Sequence, residues 1–313
     1  MLTPSTSVVK VYGVHIVAGD GKELPVTAIH RVLVCGATGR QGGAVSRALS
    51  AHGFEVLALT RSPQAAAAKE LERLGAQVVG GDLSQVASLH PIMKDVDAVF
   101  SVQNYWERGV GAEGELRQAE NLFAAAEENG VRHVVQSIMA RARTYDGIAH
   151  FESKQRIADR LRLGPLPFTT LGTVWFMDNI LDPKMGGSQT LPILAGSLAS
   201  HVSFPMVATA DIGKACVKIL QAPFACSGKH FDLIGDRLTV AEMKQVYARV
   251  TGRRAKWYRV PRWVMRWINE EFAEQLAWHN RVDFDGQPDQ LRTWLGETVT
   301  FEKFLRQQKV IHL

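Results

Sequence analysis

From Arg31 onward the chain alternates between short apolar runs and amphipathic stretches. "RVLVCG", "FEVLALT", "AQVVGGD", "DAVFSVQ", "RHVVQS" and "PFTTLGT" read as strands of a sheet covered on both faces. The segments between them, "GGAVSRALSAHG", "PQAAAAKELERLG", "SLHPIMKD", "GELRQAENLFAAAEENG" and "HFESKQRIADRLRLG", read as helices. Gly53, Gly75, Gly130 and Gly164 follow four of them, where a helix commonly stops on a left-handed residue. The rhythm persists to about residue 175 and predicts an α/β fold on a doubly wound parallel sheet.

After Asn179 the rhythm changes. "LDPKMGGSQTLPILAGSLAS" is rich in Gly, Ser and Pro and reads as a long loop with little regular structure. "TADIGKACVKILQ" then reads as a helix and "KHFDLIG" as a strand. Thr239 and Glu242 form a capping box opening a helix that ends near Gly252. The last fifty residues, with Trp263, Trp267, Trp278 and Trp294, look mostly helical. The chain thus divides into an N-terminal extension (1–29), a sheet domain (30–179) and a smaller, mostly helical part (180–313). That last part would send elements back onto the sheet domain and shape a substrate pocket or partner surface.

Composition narrows the class. With 313 residues, 46% hydrophobic and 21% charged, the chain suits one large soluble α/β unit. A net charge of +5 spread over that length gives no reason to expect nucleic acid. The stretch "GRRAKWYRVPRWVMRW" concentrates six basic residues with interleaved aromatics. It reads as a strand and short helix with a solvated basic edge and buried aromatics; the other reading is a surface for an acidic partner or headgroups. Cys35, Cys216 and Cys226 are scattered, without a CxxC pair or a His cluster, which argues against disulfides and a metal site. They imply a reducing compartment, the cytoplasm. No apolar run reaches the ~18 residues of a membrane span. The first residues lack the profile of a secretory signal; "VVKVYGVHIV" reads as an edge strand or as part of a loose, transit-like extension.

The chemistry centres on "RVLVCGATGRQGGAVSRAL", where a strand meets Gly36, Gly39 and Gly42 and then a helix. The first glycine permits the tight turn, the second admits a pyrophosphate to the backbone, and the third lets helix and strand close up. The helix N-terminus then offers N–H groups to the phosphates. About 20 residues on, an NAD-binding unit carries an acid for the ribose hydroxyls. Here the second strand ends in Arg61, and Arg40 lies in the turn. Guanidinium groups pair with a 2′-phosphate, so the expected cofactor is NADP(H), the alternative being that Arg61 is a solvated strand end. Asp82 ends the third strand where an adenine would rest, or else caps the following helix. "VQNYWE" ends the fourth on the same sheet edge.

In this order "GATGRQGG", "LTRSP", "GDLS", "VQNYWE", "HFESK" and "WFMDN" resemble the NmrA-like group of atypical short-chain dehydrogenases. That group includes isoflavone-reductase-like and quinone-reductase-like proteins. The resemblance covers Val32 to Asn179 and, more loosely, "VATADIG" and "TFEKFL". It implies a Rossmann sheet with NADP(H) held by Gly36, Thr38, Gly39, Arg40, Gln41 and Gly42, and Arg61 at the 2′-phosphate. It also implies Asp82 and Leu83 near adenine, Gln103, Asn104 and Tyr105 along the cofactor, Lys154 at the nicotinamide ribose, and Phe176 and Asn179 closing the nicotinamide end. The family's "LRPG" is here "LGTV", so Gly172 and Thr173 stand for Arg and Pro.

Short-chain dehydrogenases place a Tyr four residues before the Lys as proton donor. Here that position is His150, on the same helix face as Lys154. An imidazole exchanges protons near neutrality, so the candidate catalytic residues are His150 and Lys154; otherwise His150 merely starts the helix and Lys154 bonds the ribose. Tyr105, Trp106, Trp175 and Phe176 suggest an aromatic pocket or, equally, core. Two functions are open: an NADPH-dependent reductase of a quinone or other conjugated carbonyl, acting on a small molecule, or a redox-sensing regulator that binds NADP(H) and acts through protein partners.

Overall fold

The structure, a computed structural model, describes residues 15–17, 23–25, 28–181, 190–254 and 261–308. A small hairpin pairs β1 (His15–Val17) with β2 (Glu23–Pro25). The expected N-terminal edge strand therefore pairs here, off the main sheet; residues 8–14 of it lie outside the described residues.

Five strand–helix units come next. They are β3 (Arg31–Val34) with α1 (Arg40–Ala51), and β4 (Glu55–Thr60) with α2 (Ala66–Arg73). Then there are β5 (Gln77–Gly80) with α3 (Val86–Met93), and β6 (Ala98–Ser101) with α4 (Gly111–Glu128). The fifth is β7 (His133–Met139) with α5 (Ala149–Leu163), and β8 (Phe168–Thr173) comes after it. Beyond it lie β9 (Trp175–Phe176), a 3₁₀ turn (Met177–Leu181), α6 (Thr190–Ser197), β10 (Phe204–Val207), α7 (Thr209–Gln221) and the short α8 (Pro223–Cys226). The chain continues through β11 (His230–Leu233), β12 (Asp236–Leu238), α9 (Val240–Thr251), α10 (Arg262–Ile268), α11 (Glu270–His279), α12 (Pro288–Leu295) and α13 (Phe301–Gln307).

The main sheet has seven strands in the order β11-β8-β7-β6-β3-β4-β5, and every pairing in it is parallel. Its direction of winding reverses between β3 and β6, which opens a crevice at their C-terminal ends. Alternating side chains supply two cores. Val32, Val34, Val56 and Ala58 join the α1 and α7 side; Leu33, Cys35, Leu57 and Leu59 join the α3, α4 and α5 side. A third core gathers Trp175, Met177, Phe204, Met206, Met243, Leu276, Phe301 and others around the small sheet β12-β10-β9 and the C-terminal helices.

All six strands expected between Arg31 and Thr173 are present, and "KHFDLIG" supplies the seventh, on the β8 edge. The Thr239–Glu242 capping box and the left-handed Gly252 are both present. Three expectations change. Gly53, Gly75 and Gly130 are left-handed, but Gly164 is extended (φ −93°, ψ 173°) because a residue preceding proline is pushed out of the helical region. The supposed loop after Asn179 contains α6, whose Leu191 and Leu194, with Leu198 just past its end, recur at helical spacing and enter the third core. Among the described side chains of α10, Met265 enters that core. Trp263 and Trp267 are 74% and 88% exposed rather than buried. The strand expected at 255–260 lies outside the described residues.

Burial holds His133 and His279 neutral, pulling their pKa from 6.5 to about 4 and about 3. In the unfolded chain both would protonate near pH 6.5, so the unfolded state binds more protons below that pH and stability falls with it. Urea unfolding should show a loss of about 1.5 kcal/mol for each histidine between pH 6.5 and 5. Equal stability at pH 7 and pH 5 would contradict this.

Candidate functional site

The turn after β3 is set by contacts that exclude side chains. Gly36 has φ +60°, and the Gly39 N–H donates to its carbonyl at 2.8 Å. A Cβ at Gly42 would lie 2.3 Å from Gly36 O and 2.6 Å from Cys35 O, which only glycine avoids. The third glycine thus brings α1 hard against the end of β3. On the far side α7 is equally close, since a Cβ on Gly213 would be 2.8 Å from Ala44 O. No side chain caps the N-terminus of α1 at Gly39, so its first N–H groups face the crevice end of the sheet without an internal acceptor from a side chain.

The turn is tied to later segments. Gln41 accepts from the Ser137 hydroxyl at 2.7 Å, and the Arg40 guanidinium donates to Asn179 Oδ1 at 2.5 Å. Partial burial lowers the Arg40 pKa, against the pull of Asp178, whose carboxylate is itself held by the backbone and hydroxyl of Thr209. Thr38 and Gly39 are exposed at the turn, and Asn179 is buried. Phe176 bridges to Val207 and packs on the first core.

At the end of β4, Arg61 is exposed and donates to Glu107, which also accepts from the Asn104 side chain at 2.8 Å. That bond, ahead of the attraction of Glu107 and Asp82, raises the Arg61 pKa. Asp82 accepts from the Ser84 N–H at 2.8 Å, closing a turn before α3 rather than capping the helix, whose first flanking residue is Gln85. The Leu83 carbonyl is held by Asn121. Beneath the crevice, Gln103 donates to Ser101, Ser101 to Gln136, and Gln136 back to Gln103, at 2.8, 2.5 and 3.0 Å. This buried polar triangle is internally satisfied, which fixes the strand ends under the loop.

The two candidate catalytic residues on α5 each meet an acid. Lys154 donates to Glu115 at 2.6 Å, and Glu115, fully buried on α4, also accepts from Ser153. His150 is buried, and its Nδ1 lies 2.7 Å from Glu271 on α11. Burial pushes the His150 pKa down, partly offset by Glu271. Burial pushes Glu271 up, yet its bonds to His150 and Tyr105 leave its pKa below the ordinary carboxylate range. The Tyr105 phenol is shifted upward by burial and by Glu271. Tyr105, Trp106 and Phe151 surround the imidazole with ring centroids 5.4, 4.9 and 4.4 Å away.

The structure thus joins Arg40 to Asn179, Gln41 to Ser137, Arg61 to the Asn104–Glu107 loop, and His150 to Tyr105's surroundings. It does not bond Lys154 to the glycine turn. Nor do the four aromatics form one pocket: Trp175 packs against Phe204 in the third core. Gly172, where the family has Arg, is crowded, because a Cβ there would sit 2.7 Å from Ala140 Cα and from His230. Glu115 and Glu271 were missed in the sequence. Neither lies in a motif, and Glu271 is 121 residues from His150.

A seven-stranded doubly wound sheet with a glycine-only crossing at its switch point defines a Rossmann-type protein. More narrowly, the chain belongs to the NmrA-like family, whose sequence profile matches residues 29–291. It is similar to the photosystem II assembly factor Ycf39 of Synechocystis sp., 26% identical over 88% of this chain and 90% of the relative. It is also similar to the NmrA-like family domain-containing oxidoreductase lnbB of Aspergillus flavus, 28% identical over 77% and 79%. Among solved structures, the Citrobacter sp. triphenylmethane reductase complexed with NADP(H) shares the fold, with TM-score 0.70, 19% identity and coverage of 89% and 99%. Among the described residues no helix is long and apolar enough to cross a membrane.

Gly42→Ala should force α1 away from β3 and destabilise the protein by about 3 kcal/mol. Thermal melting reads this; an unchanged melting temperature would mean the turn can relax without cost.

Proposed function

We propose that this protein binds NADP(H) at the switch-point crevice and reduces a quinone or another conjugated carbonyl. One arrangement carries the reading: a turn that tolerates no side chain at Gly42, an uncapped helix N-terminus behind it, and the Arg61 guanidinium at the end of the neighbouring strand. The first two suit a pyrophosphate and the third a 2′-phosphate. Arg61 spends one nitrogen on Glu107, leaving the rest of its donor fork for a phosphate. Asp82 and Leu83 would border the adenine, and Gln103, Asn104 and Tyr105 the middle of the cofactor. Phe176 and Asn179 would close the nicotinamide end. In this reading residues 30–179 hold the dinucleotide, and parts of 180–313 close the substrate side.

Bound NADPH would supply a hydride; the protein must supply the proton. Glu115 fixes the Lys154 ammonium group in place, suiting it to hold a ribose hydroxyl and to favour negative charge on a carbonyl oxygen. Tyr105, with its pKa raised, is a poor proton donor, which leaves His150, whose burial makes its protonated form the readier to release a proton, as the group that supplies it. The likeness to an oxidoreductase and to an NADP(H)-bound reductase supports this reaction class. Three buried, free cysteines are in keeping with a reducing compartment such as the cytoplasm.

The absence of a Tyr four residues before Lys154, together with the likeness to an assembly factor, favours a second reading. In it the protein binds NADP(H) and reports redox state to a protein partner. NADPH consumption by the purified chain against quinones and enones, with NADH in parallel, separates the two. The reductase reading predicts NADPH-preferring turnover that falls about 100-fold in His150→Gln and also drops in Lys154→Ala. Tight binding with no turnover across the panel would pass the site to the second reading.

A further inference from the structure

We propose that Glu271 is a positioning residue that holds His150 with its proton on Nδ1 and its lone pair on Nε2, making α11 part of the proton-exchange site. The catalytic meaning rests on the reductase reading; the tautomer itself does not.

The geometry is specific. An ionised carboxylate can only accept, so the 2.7 Å contact between Glu271 Oε1 and His150 Nδ1 requires the proton on Nδ1. Nε2 then carries the lone pair, and it has no hydrogen-bond partner among the described residues. His150 is 5% exposed, and Tyr105, Trp106 and Phe151 wall it in, so the ring has little freedom to turn over. Glu271 is itself held in place. It is the second residue of α11, where Asn269 caps the helix by accepting from the Phe272 N–H at 3.0 Å, and a carboxylate in the first turn is favoured by the helix dipole. The Tyr105 hydroxyl is its second side-chain partner. From the other end of α11, Trp278 meets Phe151, the neighbour of His150, with ring centroids 5.2 Å apart. The helix therefore touches α5 at two points, one polar and one aromatic.

The other charged and titratable groups facing His150 are Lys154 on its own helix, Glu115 on α4 and His279 on α11. Lys154 disfavours the imidazolium; Glu115 and Glu271 favour it. Of the two acids, only Glu271 makes a hydrogen bond to the ring. Removing its charge should lower the proton affinity of His150.

Nitrogen NMR of histidine-labelled full-length protein tests this without cofactor, with His150→Gln identifying the signal. The unmodified protein should show the Nδ1–H tautomer of His150 at neutral pH. Glu271→Gln should lower the His150 pKa by about one unit and move the alkaline limb of the turnover profile, where the protonated imidazole is lost, to lower pH by the same amount. Glu271→Asp should restore part of the shift, and Glu274→Gln, on the same helix, should leave His150 as it was. An Nε2–H tautomer in the unmodified protein, or an unmoved pKa in Glu271→Gln, would overturn the proposal. If Glu271→Gln fails to fold, the tautomer of the unmodified protein and the Glu271→Asp titration still decide it. Failure of the unmodified protein to consume NADPH would count against the reductase reading, whereas the tautomer decides the role of Glu271.

Discussion

The arrangement depends on the approach of α1 to the carbonyls of Cys35 and Gly36, where no Cβ can stand at Gly42. That approach points the first N–H groups of α1 along the crevice between β3 and β6. It also brings Arg40 and Gln41 within reach of Asn179 and Ser137, residues 139 and 96 positions away. Because α7 presses on the opposite side of α1 at Gly213, the helix has no room to withdraw. One backbone contact thus registers the turn, the sheet and the segment after β9.

Around this fixed point the polar side chains are paired in a consistent way. Cations on the crevice side meet acids or amides: Arg61 with Glu107, Lys154 with Glu115, Arg40 with Asn179. Uncharged groups below form the closed triangle of Ser101, Gln103 and Gln136. Burying Glu115, Ser101, Gln103 and Gln136 is tolerable because each of them has a partner, and the partners restrict each side chain to one orientation. His150 is the exception in kind. Its imidazole is buried among rings and anchored on one nitrogen, the condition under which a histidine exchanges protons from a defined atom.

Much of the fold is legible in the residues. Six strands and their helices come from apolar runs and helix-stopping glycines, and the turn at Gly36 to Gly42 from glycine spacing alone. Gly164 misleads because a left-handed glycine needs a permissive neighbour after it, and Pro165 is not one. The helix at Thr190 is hidden because glycine and serine mask the spacing of Leu191, Leu194 and Leu198. The basic, tryptophan-rich stretch suggests aromatics turned inward, but among the described side chains of α10 Met265 is the one buried, and Trp263 and Trp267 face outward. The acids that complete the site are not legible at all. Glu115 looks like any glutamate of an amphipathic helix until α5 covers it, and Glu271 acquires its partner only when the C-terminal helices fold back.

The central claim is that the glycine turn and Arg61 together recognise a dinucleotide bearing a 2′-phosphate. Calorimetric titration of the full chain with NADPH and with NADH, repeated on Arg61→Ala, tests it most directly. The account predicts that NADPH binds at least about tenfold more tightly than NADH and that the substitution removes most of that margin. Equal affinity for the two in the unmodified protein, or a margin untouched by the loss of Arg61, would contradict it.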